Sequence, residues 1–155
     1  MSAKNENRIL EVLKKLKLSE LEELFKIRSN EEMYYSSQIE IIEEEVIIDS
    51  SGNERVNKIK VYPIIHGSIK RTCYLVYAKY QYHAWVTLNG NPYNVDEISA
   101  KMDSGNGNFS KVVKNTHQLK KLDEVYEYGV ACKSATMEAT ARKGNLSGTV
   151  KVKLK

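Results

Sequence analysis

Apolar positions along this chain follow two different periods. In NRILEVLKKLKLSELEELFKIR, residues Ile9, Leu10, Leu13, Leu16, Leu18, Leu21, Leu24 and Phe25 recur at steps of three and four, with charges between them. That spacing predicts an amphipathic helix, or two short helices joined near Lys17. Ser19 and Glu22 stand at capping-box spacing. From Gln38 the pattern changes to strands. IEIIEEEVIID and ERVNKIKVYPIIH are separated by the turn formers Ser50, Ser51, Gly52 and Asn53, which predicts a long hairpin. A four-residue loop would set Glu43 opposite Lys60 and Glu45 opposite Lys58, so that the lysines are neutralised within the sheet. His66-Gly67 reads as the next turn and SIKRTCYLVYAKY as the returning strand, with Ile59 facing Tyr74, Val61 facing Thr72 and Asn57 facing Val76.

Asn89-Gly90, between WVTL and PYNV, is a type I′ turn signal and predicts a third, short hairpin with Pro92 on an exposed edge. Beyond DSGNGNFSK, the stretch from Phe109 to Gly144 contains no proline, and Phe109, Val112, Val113, Thr116, Leu119 and Leu122 mark one face of a predicted helix. Gly129 would divide this stretch into two helices, and Gly144-Asn145 would end it. GTVKVKLK then alternates strictly, with Val150, Val152 and Leu154 on one side and Lys151, Lys153 and Lys155 on the other, as an edge strand guarded by lysines does.

The expected architecture is therefore an α+β fold: an antiparallel sheet built from successive long hairpins, an N-terminal helix and one or two helices in the C-terminal half covering one face, and a C-terminal edge strand. One domain is expected over 1–155, with a helical segment at 1–37, a hairpin sheet at 38–95, helices at 96–144 and an edge strand at 146–155. Hydrophobic residues at 41% and charged residues at 28% are ordinary for a soluble globular chain, which argues against disorder and fibrous repeats. No run of 18 apolar residues occurs and the N-terminal stretch is amphipathic, so a cytoplasmic protein without a membrane partner is expected. Cys73 and Cys132 then read as free thiols in a reducing compartment.

Charge is unevenly distributed. Residues 38–49 hold five acids and no base, whereas residues 104–155 hold ten bases against four acids. Lysine supplies most of the cations, which suits a general polyanion surface better than bidentate reading of bases. Alternation places Tyr77, Lys79, His83 and Trp85 on one side of a strand, with Arg71 before them and Lys111 and Lys114 in the following basic segment. A sheet face of this composition binds single-stranded nucleic acid by stacking bases on rings while lysines follow the backbone. The first functional expectation is thus a non-enzymatic, sequence-tolerant nucleic-acid-binding protein using Arg71, Tyr77, Lys79, His83, Trp85, Lys111 and Lys114.

Two other classes remain open. One is a self-assembling structural or protein-interaction module, of a virus or mobile element, that joins copies of itself through its long hairpin and lysine-edged strand. The other arises from HAWVTLNGNPYNVDE, where His83, Trp85, Gly90 and Asp96 resemble the histidine strand of transglutaminase-like cysteine enzymes. That resemblance implies a cysteine–histidine hydrolase or transferase, with Asp96 orienting His83, and Cys132 would have to act as the thiolate from a permuted position. Three histidines and two cysteines show neither CxxC nor HxxxH spacing, so no metal and no cofactor are expected. The two glycines of DSGNGNFSK sit where an anion could meet a helix N-terminus, but GxxxxGK[ST] is absent and a plain connector is expected.

Overall fold

The computed structural model describes residues 26–105, 107–126 and 132–155, together with isolated positions between 11 and 22; for 124–126 it gives the backbone alone. All eleven described elements are strands: β1 (Ser29–Gln38), β2 (Ile41–Ile48), β3 (Glu54–Val61), β4 (Ile64–Cys73), β5 (Tyr77–Leu88), β6 (Asn91–Pro92), β7 (Val95–Asp103), β8 (Asn108–Thr116), β9 (Gln118–Tyr126), β10 (Ala135–Lys143) and β11 (Leu146–Leu154). The α+β expectation is therefore corrected to an all-β architecture. The helix expected at 96–144 is β7 to β10, and the last part of the expected 1–37 helical segment is β1. The heptad-like run before Lys26 lies largely outside the described residues.

Two antiparallel sheets face each other. The first runs β1-β4-β5, with β9 and then the short β6 along the far side of β5; the second runs β11-β10-β7-β8. β8 and β9 meet at the corner after Thr116, where the chain crosses between sheets, and β9 lies beside β5. The core lies between the sheets, with Ile65, Ile69, Tyr80, Tyr82, Ala84 and Val86 from one side. Ile98, Met102, Met137, Ala139, Val150 and Val152 come from the other.

The helical reading of the C-terminal half failed for identifiable reasons. In β10, Ala135, Met137, Ala139 and Ala141 are buried and alternate with Thr136, Glu138, Thr140 and Arg142, a strand period written in alanines, which favour helices in isolation. In β9 the leucines Leu119 and Leu122 stand three apart, whereas the inward positions are Leu119, Lys121 and Asp123. Lys121 reaches inward because its ammonium sits 5.7 Å from the centre of the Phe109 ring. Strand β11 faces as its alternation requires and lies at the end of its sheet.

The hairpin at the start of the sandwich differs from its sequence reading in register and in turn position. β2 pairs with β3 so that Glu43 faces Ile59, Glu44 faces Lys58 and Glu45 faces Asn57, one residue away from the expected pairing of Glu43 with Lys60 and Glu45 with Lys58. The cause is Asp49, whose Oδ1 accepts from the Ser51 and Asn53 amides at 2.9 Å each and so draws a fifth residue into the loop. His66-Gly67 is no turn but the middle of β4, so Ile59, Val61 and Asn57 do not face Tyr74, Thr72 and Val76. Gly67 is glycine because the second sheet approaches there: an added Cβ would lie 2.8 Å from Val152 and 3.1 Å from Met137. The chain returns instead at residues 74–76, which contain neither glycine nor proline.

β1 and β4 pair in the same register as β2 and β3, and Ile39 N–H donates to Pro63 O at the junction. Residues 29–73 are therefore one long hairpin. Its root belongs to the sandwich, and its outer part, β2–β3, forms a separate two-stranded sheet. Odd-numbered residues face the body, with Ile39, Ile41, Ile65 and Ile69 buried, while even-numbered residues face outward. Cys73 and Cys132 are joined by a disulfide with Cα atoms 5.9 Å apart, which corrects the expectation of two free thiols.

Candidate functional site

The outward face of this long hairpin carries two surfaces that run into each other. Near the root, the single register sets Tyr34 opposite Ser68, His66 opposite Trp85 and Ser68 opposite His83, so these rings line up across β1, β4 and β5. They stack on one another. His66 and Trp85 lie with centroids 5.1 Å apart and planes 13° apart, Tyr34 and His66 at 5.8 Å, and His83 and Trp85 at 4.7 Å. His66 is fixed at both nitrogens: Nδ1 meets the Tyr34 hydroxyl and Nε2 lies 2.7 Å from Thr87 Oγ1. A neutral imidazole satisfies both contacts, accepting from Tyr34 and donating to Thr87. Tyr34 also lies 5.9 Å from Trp85, and at 49% exposed it offers the most open ring of the group.

Further out, β2–β3 is a ribbon that leaves the sandwich. Its root is held by Ile41, which is buried, and by Glu43, which accepts from the Tyr93 hydroxyl at 2.6 Å. Lys143 lies 3.9 Å from the same carboxylate and donates to Tyr93 at 2.8 Å. Beyond Glu43 the side chains lose this support. Val46, Ile48 and Val56 are 60%, 66% and 56% exposed, and Ile42 and Tyr62 are exposed on the same face. With Ile64 and Tyr34 they line this face from the tip of the arm to the rings as an apolar stripe interrupted by Glu44 and Lys58, which face each other across the ladder. All these residues have even numbers, so alternation alone places them on one side.

The sequence-derived site residues divide between several surfaces. Tyr77, Lys79, His83 and Trp85 do share the outward face of β5, as their alternation required. Tyr77 stacks on Tyr74 at 4.4 Å. Arg71 points the other way: it is 4% exposed and donates to Lys133 O, Glu31 Oε2 and Lys155 O at 2.7, 2.8 and 3.0 Å. It is a clamp inside the sandwich, where an unpaired guanidinium would be costly. Lys111 and Lys114 lie on β8 in the other sheet; Lys111 donates to Lys120 O and Lys114 is exposed. Sequence reasoning missed Tyr34, which falls in the expected 1–37 helical segment but lies on β1, and His66, which falls in the expected turn but lies on β4. The arm stripe was legible as apolar residues at both parities in a hairpin with no further strand to cover them.

The cysteine–histidine arrangement is not assembled. Cys132 is bonded to Cys73, which faces the interior, whereas His83 lies on the outward face of the same sheet. Asp96 accepts from the Gly144 amide at 2.7 Å. The Asn89-Gly90 turn does form as read, with φ of 52° and 82°. The glycines of DSGNGNFSK lie in the β7–β8 connection, where Asp103 Oδ1 accepts from Gly105 N–H at 2.6 Å and no helix follows. Among the described residues no group of three or more His, Cys, Asp or Glu side chains could hold a metal ion. No family model, curated protein or solved structure matches this chain.

Burial pushes the pKa of His66 below 6.5, and burial together with the neighbouring Lys120 does the same for His83. Each imidazole thus takes a proton less readily in the folded chain than in the unfolded one, so their contribution to stability is complete above 6.5 and is lost as pH falls through the lower folded value. The melting temperature is expected to drop between about pH 7 and about pH 5, and His66→Gln/His83→Gln is expected to flatten that part of the profile. Thermal unfolding across this window checks it; identical slopes in the two proteins would exclude the assignment.

Proposed function

We propose that this chain is a non-catalytic protein-association module that works through the β2–β3 arm. The observation that carries the reading is the exposed stripe of Ile42, Val46, Ile48 and Val56 on a ribbon that no third strand supports among the described residues. A lone two-stranded hairpin is marginally stable in water. Covering one Val or Ile side chain fully is worth about 1.5–3 kcal/mol, so a partner seated on four of them supplies a sizeable fraction of a micromolar affinity. The Tyr93–Glu43–Lys143 contacts fix the root, which holds the arm in place for docking without covering its tip.

The variant Ile42→Ser/Val46→Ser/Val56→Ser is expected to keep the sandwich, as read by an unchanged near-ultraviolet spectrum, and to lose the cross-linked complexes that the unaltered chain forms in an extract of its own cells. Complexes of the same size and yield from both proteins would contradict the reading.

A second reading is favoured by the common face of Tyr77, Lys79, His83 and Trp85, flanked by Lys120 opposite His83. Rings and lysines together suit single-stranded nucleic acid, with Tyr34 the most open ring for stacking. Trp85 is the single tryptophan and so reports on this face directly. If the face binds single strands, oligonucleotide should change its fluorescence at low salt, and the apparent affinity should fall steeply as salt rises. A signal unaffected by oligonucleotide at the lowest salt removes this second reading.

A further inference from the structure

We infer that the partner of the arm is the arm of a second copy of this chain, laid beside it edge to edge; this rests on the association role proposed above. The two edges of the ribbon carry opposite charge. β2 holds Glu43, Glu44 and Glu45 with Glu40 just ahead of it and contains no base, whereas β3 holds Arg55, Lys58 and Lys60 against the single acid Glu54. Part of this charge is already matched within the chain, since Glu43 meets Tyr93 and Lys143, and Lys60 lies 3.3 Å from Glu40. Glu44, Glu45, Arg55 and Lys58 are exposed and enter no ion pair among the described residues, although Glu44 faces Lys58 across the ladder.

Each edge also presents backbone groups. β2 pairs only with β3 and β3 only with β2 among the described strands, so each strand has one side without a ladder. If two arms point the same way, the β3 of one runs antiparallel to the β2 of the next, and the order β2-β3-β2-β3 alternates in direction throughout. Both the ladder and the charges are then satisfied. The same packing brings the outward residues Ile42, Val46, Ile48 and Val56 of neighbouring arms side by side in one layer, where they gain lateral cross-strand contacts. Because an acidic edge meets a basic edge, the contact is heterologous and repeats from copy to copy, giving a ring if the rotation closes and a filament if it does not. The expected sequence-derived role for the lysine-edged strand β11 is not required by this arrangement.

Two charge-reversed chains test it: Glu44→Lys/Glu45→Lys, in which both edges are basic, and Arg55→Glu/Lys58→Glu, in which both are acidic. By light scattering on purified full chains, the unaltered protein is expected to associate, and each variant alone to associate at least tenfold more weakly. An equimolar mixture of the two variants is expected to recover the association, because every basic edge then finds an acidic one. That recovery also shows that neither variant failed to fold. A mixture as dissociated as its components overturns the inference. A purified unaltered chain that stays monomeric also overturns it, and if arm-dependent complexes still form in the cell extract, the association role stands with a different protein as partner.

Discussion

One constraint organises the molecule: the hairpin of residues 29–73 keeps a single register from the sandwich out to the tip of the arm. In a strand, parity decides facing. With no slip at Ile39–Glu40, every odd residue looks toward the body and every even residue looks away from it. The buried isoleucines at 39, 41, 65 and 69 anchor the register, because a shift of one position would drive them into solvent. The same rule that hides them exposes Tyr34, Ile42, Val46, Ile48, Val56 and Tyr62. The apolar outward stripe is thus a direct consequence of the anchoring.

Supporting contacts make the register hold. Gly67 lets the second sheet close on β4, and Arg71 ties β4 to Glu31 on β1 and to the carbonyls of Lys133 and Lys155. The Cys73–Cys132 disulfide fastens the inner end of the same strand. At the other end, Tyr93, Glu43 and Lys143 grip the root of the arm. β4 is therefore held along its length, whereas β2 and β3 beyond Glu43 have only each other.

Sequence patterns revealed some of this and concealed the rest. The facing of β5, the Asn89-Gly90 turn and the lysine-guarded β11 could be read because alternation and turn chemistry are local. The helices assigned to 96–144 were wrong because alanine at inward positions of β10 is a packing requirement of a thin sandwich that looks like helix propensity. Lys121 and Asp123 at inward positions of β9 hide its strand alternation, Lys121 lying over the Phe109 ring and Asp123 buried opposite Tyr80. Gly67 looked like a turn because glycine signals both a turn and a close approach, and only the opposite sheet separates the two meanings. The register error came from one side chain, Asp49, capping two amides. The ring cluster is hidden by the same two features: a helix through 1–37 and a turn at His66 keep Tyr34, His66 and Trp85 apart, whereas β1, β4 and β5 bring them together.

The central claim is that the arm is held at its root and completed only by a partner. Amide hydrogen exchange, followed residue by residue from dilute to concentrated protein, tests it most directly. Amides of β2 and β3 beyond Glu43 are expected to exchange quickly in dilute solution while those of β4 and β5 stay protected, and to slow as association sets in. Arm amides as protected in the dilute monomer as those of β4 would contradict the account.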